Sequence, residues 1–202
     1  EIYTLSLHDA LPISDLERAR PMQRLLQGEV GSGKTVVALR AMLAVVDAGG
    51  QAALLAPTEV LATQHYQTIV GLLGELGQGR ILGSPDNATD VVLLTGSTAS
   101  SARRSALLKA ASGEAGIVIG THALLGEHVQ FADLGLVVID EQHRFGVEQR
   151  AVLSGKASDQ PHVLVLTATP IPRSVAMTIF GDLETSTLAE LPAGRPDVST
   201  VV

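Results

Sequence analysis

Gly28-Glu29-Val30-Gly31-Ser32-Gly33-Lys34-Thr35 fits the spacing G-x-x-x-x-G-K-[ST] at every fixed position. The residue types explain the pattern. Glycines at 28, 31 and 33 let a backbone turn tightly and aim its N–H groups at anionic oxygens. Lys34 supplies a mobile positive charge for β- and γ-phosphates, and Thr35 supplies a hydroxyl for Mg²⁺. A helix starting near Lys34 adds its positive dipole end. The flanks agree with this reading. Leu25-Leu26-Gln27 before the loop reads as a strand. Thr35 to Val46 reads as an apolar helix ended by Gly49-Gly50. An ordinary Gly-rich turn would not need that strand and that helix.

Working outward, short apolar runs recur, each stopped by a small polar cluster. Gln51 to Ala56 is stopped by Pro57-Thr58-Glu59, where Thr58 is placed to cap a helix from Glu59 to about Leu76. Val91 to Leu94 is stopped by Thr95-Gly96-Ser97, and a helix over about Ser101 to Ala111 follows. Ile117 to Ile119 is stopped by Gly120-Thr121-His122, and Leu136 to Ile139 by Asp140-Glu141. Val163 to Leu166 is stopped by Thr167-Ala168-Thr169-Pro170. A helix over about Arg173 to Phe180 and a weak strand near Thr185 to Leu188 close the series. Residues 77–90 read as a Gly/Pro/Asn/Asp-rich loop.

Strands that are continuously apolar, rather than alternating, are buried on both faces. With helices between them they imply an α/β fold, a mostly parallel sheet with helices on both faces. Ligands of such sheets sit at the carboxyl ends of the strands. The polar clusters fall at those ends.

Composition narrows the class. Hydrophobic content of 46% with 17% charged residues is that of a globular chain. Aromatics at 2% require an aliphatic core. The absence of Cys excludes disulfides and thiolate metal sites, and the six His lack ligand spacing. A net charge of −7 argues against a polycation that coats DNA, but local loops can still hold phosphates through N–H and hydroxyl groups. No apolar run approaches the roughly 18 residues of a membrane span. No signal peptide is visible, so the cytoplasm is the expected location and no membrane partner is expected.

Residues 1–14 read differently. They show no clear helix or strand period, and they resemble a translated sequencing-adapter read. The segment is either non-native or a natural, poorly ordered terminus.

Asp140-Glu141 invites a metal reading. Beside a phosphate loop, an acid at a strand end can hold Mg²⁺, and a second acid can position and deprotonate an attacking water. Two adjacent carboxylates repel, so a metal and Lys34 are needed to offset them. Without the phosphate loop, an acidic turn would be the better reading.

Asp140-Glu141-Gln142-His143 resembles motif II of superfamily 2 helicases, and Thr167-Ala168-Thr169-Pro170 resembles motif III. Pro57-Thr58-Glu59 resembles motif Ia, Thr95-Gly96-Ser97 resembles motif Ib, and Gly120-Thr121-His122 resembles a further strand-end contact. Arg24 through Thr35, Asp140 through Gly146 and Thr167 through Asp182 resemble the RecG family of DNA helicases over roughly Arg18 to Val202. Asp140 through Gly146 is also similar to the transcription-repair coupling factor. Phe180-Gly181-Asp182-Leu183 and Glu190-Leu191-Pro192 favour the RecG family. Glu29 departs from the usual Asp but keeps the charge.

The resemblance implies a RecA-like ATP-binding lobe over 15–190, with 191–202 beginning a linker to a second RecA-like domain. It implies ATP and Mg²⁺ as cofactors and branched or forked DNA as partner, in repair and recombination. Gly28 through Thr35 would bind the nucleotide, Thr35 and Asp140 the metal. Glu141, Lys34 and Gln142 would act in hydrolysis, and His143, Thr167 and Thr169 in coupling. Pro57, Thr58, Thr95, Gly96, Ser97, Thr121 and His122 would face DNA. The family's N-terminal wedge domain and second motor domain, with its arginine fingers, are expected outside this chain. The alternatives are the equivalent lobe of the coupling factor, a non-motor phosphate-loop nucleotide switch and an inert fragment of a misassembled gene. A GTPase would need an Asn-Lys-x-Asp run, which is absent.

Overall fold

Leu25 and Leu26 are both inaccessible to solvent, yet they point to opposite sides of one strand. The same holds for Ala53 and Leu54, Val137 and Val138, and Val165 and Leu166. An element apolar on both sides must be covered on both sides, and the fold follows from that requirement. In the computed structural model, residues 7–18, 20–77, 88–140, 155–156, 160–169 and 183–188 are described.

Seven strands form one sheet: β1 (Gln23–Gly28), β2 (Gln51–Leu55), β3 (Asp90–Leu94), β4 (Ala115–Gly120), β5 (Leu134–Asp140), β6 (His162–Thr167) and β7 (Glu184–Leu188). Their order is β3-β4-β2-β5-β6-β1-β7, and every pairing among the described residues is parallel. Four described helices are α1 (Leu7–Leu16), α2 (Lys34–Asp47), α3 (Glu59–Leu73) and α4 (Ser100–Ser112). On one face Val37, Ala38, Ala41 and Met42 of α2 and Ala62, Ile69 and Leu73 of α3 pack on Leu26, Leu54, Ile119, Val138 and Leu164. On the other, Ala106 and Ala110 of α4 pack with Leu25, Leu55, Val118, Ile139 and Val165. The expected α/β class and strand positions agree with this architecture; most strands run up to two residues beyond the apolar run, whereas β2 ends at Leu55, one residue short of Ala56.

Small residues set the spacing. A Cβ at Gly120 would stand 2.2 Å from the Leu94 carbonyl oxygen, and one at Gly116 would stand 2.2 Å from Thr89 Oγ1. Helix ends follow local chemistry. Thr58 Oγ1 accepts from Leu61 N at 3.3 Å and caps α3, as its sequence position predicts. The helix ends at Leu73 rather than Leu76, and a 3₁₀ turn over Gly74–Gly77 follows.

Residues 7–14 belong to α1, with Pro12 inside the helix, although their sequence has no apolar period. Tertiary contact decides the matter. Leu16 packs against the α2 side of the core, and the buried Asp15 carboxylate is gripped by Arg24 of β1. Arg24 Nε donates to Asp15 Oδ2 at 2.7 Å, and Nη2 reaches both that oxygen and Glu184 Oε2 of β7. Nη1 donates to Ser186 Oγ at 2.6 Å. Arg18 Nη1 lies 2.9 Å from Asp15 Oδ1 as an ion pair without hydrogen-bond alignment. The expected helix over 173–180 lies outside the described residues.

Candidate functional site

The strand order sorts the polar clusters into two groups. β5, β6 and β1 are consecutive, and their carboxyl ends carry Asp140, Thr167 and the Gly28 loop. Register sets them side by side: Asp140 pairs with Leu166, Leu166 with Leu26, and Thr167 with Gln27. β3, β4 and β2 are also consecutive, and theirs carry Thr95-Gly96-Ser97, Thr121-His122 and Pro57-Thr58-Glu59.

The loop from Gly28 to Lys34 is built as its sequence predicts. Gly31 and Gly33 adopt φ of 84° and 88°, which a side chain would strain. A Cβ at Gly28 would stand 2.4 Å from Ser32 Oγ and 3.1 Å from Leu188 Cβ. Gly33 caps α2 with no side chain, so no capping side chain covers the N–H groups of Lys34 and Thr35 in the first turn. Ser32 N donates to the Glu29 carbonyl at 3.1 Å. Val30 is exposed at the tip. Lys34 Nζ folds across the loop and donates to the carbonyls of Gly28 and Glu29, both at 2.7 Å. Ser32 Oγ is buried without a hydrogen-bond partner among the described residues. An orphaned hydroxyl, a glycine cradle, a helix N-terminus and an ammonium group together suit a polyphosphate.

The metal-binding expectation names Thr35, second residue of α2, and Asp140, last residue of β5. A hydroxyl and a carboxylate are hard oxygen donors, the set that suits Mg²⁺ shared with phosphates. No cluster of three or more His, Cys, Asp or Glu occurs among the described residues. A metal held mainly by phosphate and water does not require one. Asp140 Oδ2 lies 2.6 Å from His65 Nε2 of α3. His65 was not singled out from sequence, because nothing local marks it. Glu141, Gln142 and His143 lie outside the described residues.

Thr167 ends β6, and Thr169 lies two residues beyond it in the bend that follows. Their hydroxyl oxygens are 3.1 Å apart, and Thr169 N donates to Thr167 Oγ1 at 3.2 Å. Thr167 is buried and Thr169 exposed.

The second group is knit by Glu59. Its carboxylate accepts from Ser97 N at 3.1 Å and from Ser97 Oγ. Those bonds, and the nearby His122, hold the Glu59 carboxyl below its ordinary range. Pro57, Thr58, Gly96, Ser97 and His122 reach the surface, whereas Thr95 and Thr121 are only 3% and 1% exposed. The Thr95 hydroxyl meets those of Ser97 and Thr98, and the buried Thr121 hydroxyl has no partner among the described residues. An open groove of about 440 Å³ runs alongside, lined by Glu59, Val60, Thr63, Gln64, Gln67 and Ser97. Among the described residues its lining holds no cation, and a phosphate there would meet amides and hydroxyls beside the Glu59 carboxylate.

The sequence profile described as DEAD/DEAH box helicase matches residues 11–178. A relative from Mycobacterium bovis, named ATP-dependent DNA helicase RecG, is 62% identical over 185 residues, 91% of this chain and 25% of its own length. A Synechocystis relative of the same name is 53% identical, covering 94% of this chain and 21% of its own. The chain thus spans about a quarter of the length of the curated relatives it matches. A solved structure of RecG bound to a three-way DNA junction superposes with a TM-score of 0.76 at 39% identity, covering 97% of this chain and 25% of that one. These relatives favour the RecG branch over the coupling factor and the nucleotide switch. Among the described residues no helix is long and apolar enough to cross a membrane.

Proposed function

Because the chain belongs to the DEAD/DEAH box helicase family, we propose that it is the ATP-binding and ATP-hydrolysing lobe of a cytoplasmic DNA helicase that remodels branched DNA in repair and recombination. The observation that carries this reading is the Gly28 to Thr35 loop at the end of β1, with Thr167 at the end of the adjacent strand β6 and Asp140 at the end of β5 next to that.

Each residue has a task that its chemistry fits. Backbone N–H groups of Gly31, Gly33, Lys34 and Thr35 cradle the phosphates, and Lys34 exchanges its carbonyl partners for phosphate oxygens. Thr35 and Asp140 hold Mg²⁺, which supplies charge neutralisation on the phosphates when bound. Glu141 orients and deprotonates the attacking water, assisted by Gln142. Thr167 and Thr169, with His143, relay the nucleotide state to the DNA-facing clusters. At those clusters DNA meets Pro57, Thr58, Gly96, Ser97 and His122, while Thr95 and Thr121 shape the loops from beneath. A second RecA-like domain closes the cleft, and a wedge domain engages the branch.

Titration of the purified chain with ATP and Mg²⁺, beside single-turnover hydrolysis by Glu141→Gln, tests the reading. Gln is nearly isosteric with Glu and cannot take a proton. Binding should persist while hydrolysis slows by roughly 10²–10⁴-fold. Wild-type hydrolysis in that variant, or no nucleotide binding by the parent chain, would overturn it.

A further inference from the structure

His65 occupies an unexpected place. On α3, Ala62, Ile69 and Leu73 face the sheet and are buried. His65 stands three residues after Ala62 and four before Ile69, on the same stripe. An aliphatic side chain would serve packing better there, because a buried imidazole is costly unless hydrogen-bonded. Its side chain is 12% exposed, and Nε2 lies 2.6 Å from Asp140 Oδ2, in a carboxylate itself 14% exposed. An ionised carboxylate only accepts, so Nε2 carries the proton.

We propose that His65 is a positioning residue for the Asp140 carboxylate. It engages Oδ2, so that Oδ1 would be the oxygen offered to the metal, which rests on the reading of Asp140 as a Mg²⁺ ligand given above. Ligating carboxylates need a second hydrogen bond to fix their orientation, and loss of such a partner typically lowers metal affinity 10–100-fold. The bond also joins two ends of the site. α3 starts at the Thr58 cap and the Glu59 pair with Ser97, and His65 follows about 9 Å along its axis. One rigid helix thus touches both the cluster expected to face DNA and the carboxylate expected to hold the metal.

The test is the Mg²⁺ midpoint for binding of a fluorescent ADP, with metal-free nucleotide affinity and thermal midpoint measured alongside. His65→Leu should shift the Mg²⁺ midpoint upward by about tenfold and leave metal-free affinity unchanged. His65→Gln, which keeps a donor, should recover part of that shift. If Asp140→Asn moves the midpoint and folded His65→Leu does not, the inference fails while the metal reading stands. If Asp140→Asn also has no effect, the metal reading fails first. Should His65→Leu not fold, the ¹⁵N resonance of Nε2 in the parent chain decides. It must shift when Mg²⁺ is added to the nucleotide complex, and an unmoved resonance overturns the proposal.

Discussion

Ser97 gives the Glu59 carboxylate two hydrogen bonds, one from its backbone N–H at 3.1 Å and one from its hydroxyl. This contact spans 38 residues of sequence and fixes the loop after β3 against the first turn of α3. The bonds favour the ionised acid, so its pKa lies below the ordinary 4.5. The stability it contributes is present above the unfolded pKa and is lost as pH falls through the folded one. The amide resonance of Ser97 should therefore titrate with a midpoint below 4.5. A midpoint at or above that value would mean that the contact does not persist in solution.

Arg24 should be among the costliest polar positions in the chain. It is 4% exposed and bonds Asp15, Ser186 and Glu184, tying α1 and β7 to the strand that carries the phosphate loop. Removing one member of a buried ion pair leaves the other uncompensated, typically at about 3–5 kcal/mol. Arg24→Met should lie near about 3 kcal/mol, because Asp15 keeps Arg18 nearby. Adding Asp15→Leu should restore part of the loss. Urea unfolding of the single and double variants measures both, and a single variant as stable as the parent refutes the claim.

Gln51 predicts a similar penalty for a different reason. Its amide donates to the carbonyls of Ala110 and Ala115 at 2.9 and 2.7 Å, and its oxygen accepts from Ala132 and Asp133 at 2.7 and 3.0 Å. One side chain thus satisfies four backbone groups where α4, β4 and the approach to β5 converge. Gln51→Leu should cost about 2 kcal/mol, since an abandoned buried group costs about 1–3, while the Ala110 carbonyl keeps the Gly113 N–H and the exposed Ala132 and Asp133 can turn to water. A thermal midpoint within a degree of the parent would show that water replaces the bonds.

Which features were legible in sequence follows from the range of the forces involved. β1, α2 and the loop between them were readable because a glycine cradle and an apolar helix are local patterns. The Thr58 cap was readable for the same reason. α1 was not, because its helix depends on Asp15 meeting Arg24 and on Leu16 meeting the core, not on any period in residues 7–14. His65 was invisible because its partner lies 75 residues away. The burial of Thr95 and Thr121 was equally hidden, since a strand-end threonine looks the same in sequence whether it turns inward or outward.

His162 gives a prediction on acid stability. Its Nδ1 accepts from Met22 N at 2.8 Å where β6 meets the start of β1. Burial lowers its pKa from the ordinary 6.5, with Asp15 pulling weakly the other way. The folded state therefore binds fewer protons than the unfolded state just below pH 6.5. Stability should hold above that pH and decline as pH falls from it toward the folded pKa. His162→Gln should flatten the fall in unfolding free energy as pH drops below 6.5. An imidazole that titrates at or above 6.5 by NMR would contradict this.

Lys34 separates binding from folding. Its ammonium spans its own loop, donating to Gly28 and Glu29 at 2.7 Å, in a partly exposed position. Two such bonds near solvent add little to stability, roughly 1 kcal/mol together. Against a phosphate the same group is worth far more, because truncating one partner of a buried, hydrogen-bonded charge pair typically costs about 2–5 kcal/mol. Lys34→Ala should thus leave the thermal midpoint nearly unchanged and weaken ATP binding by roughly 30-fold or more. Lys34→Arg should rescue poorly. Its charge is retained, but a planar fork replaces a compact ammonium that must reach between the loop and the phosphates. Calorimetric titration with ATP and Mg²⁺, beside a thermal melt of each variant, gives both quantities. Unchanged affinity in Lys34→Ala would remove the phosphate loop from the binding site, and the reading of the chain as an ATPase lobe would go with it.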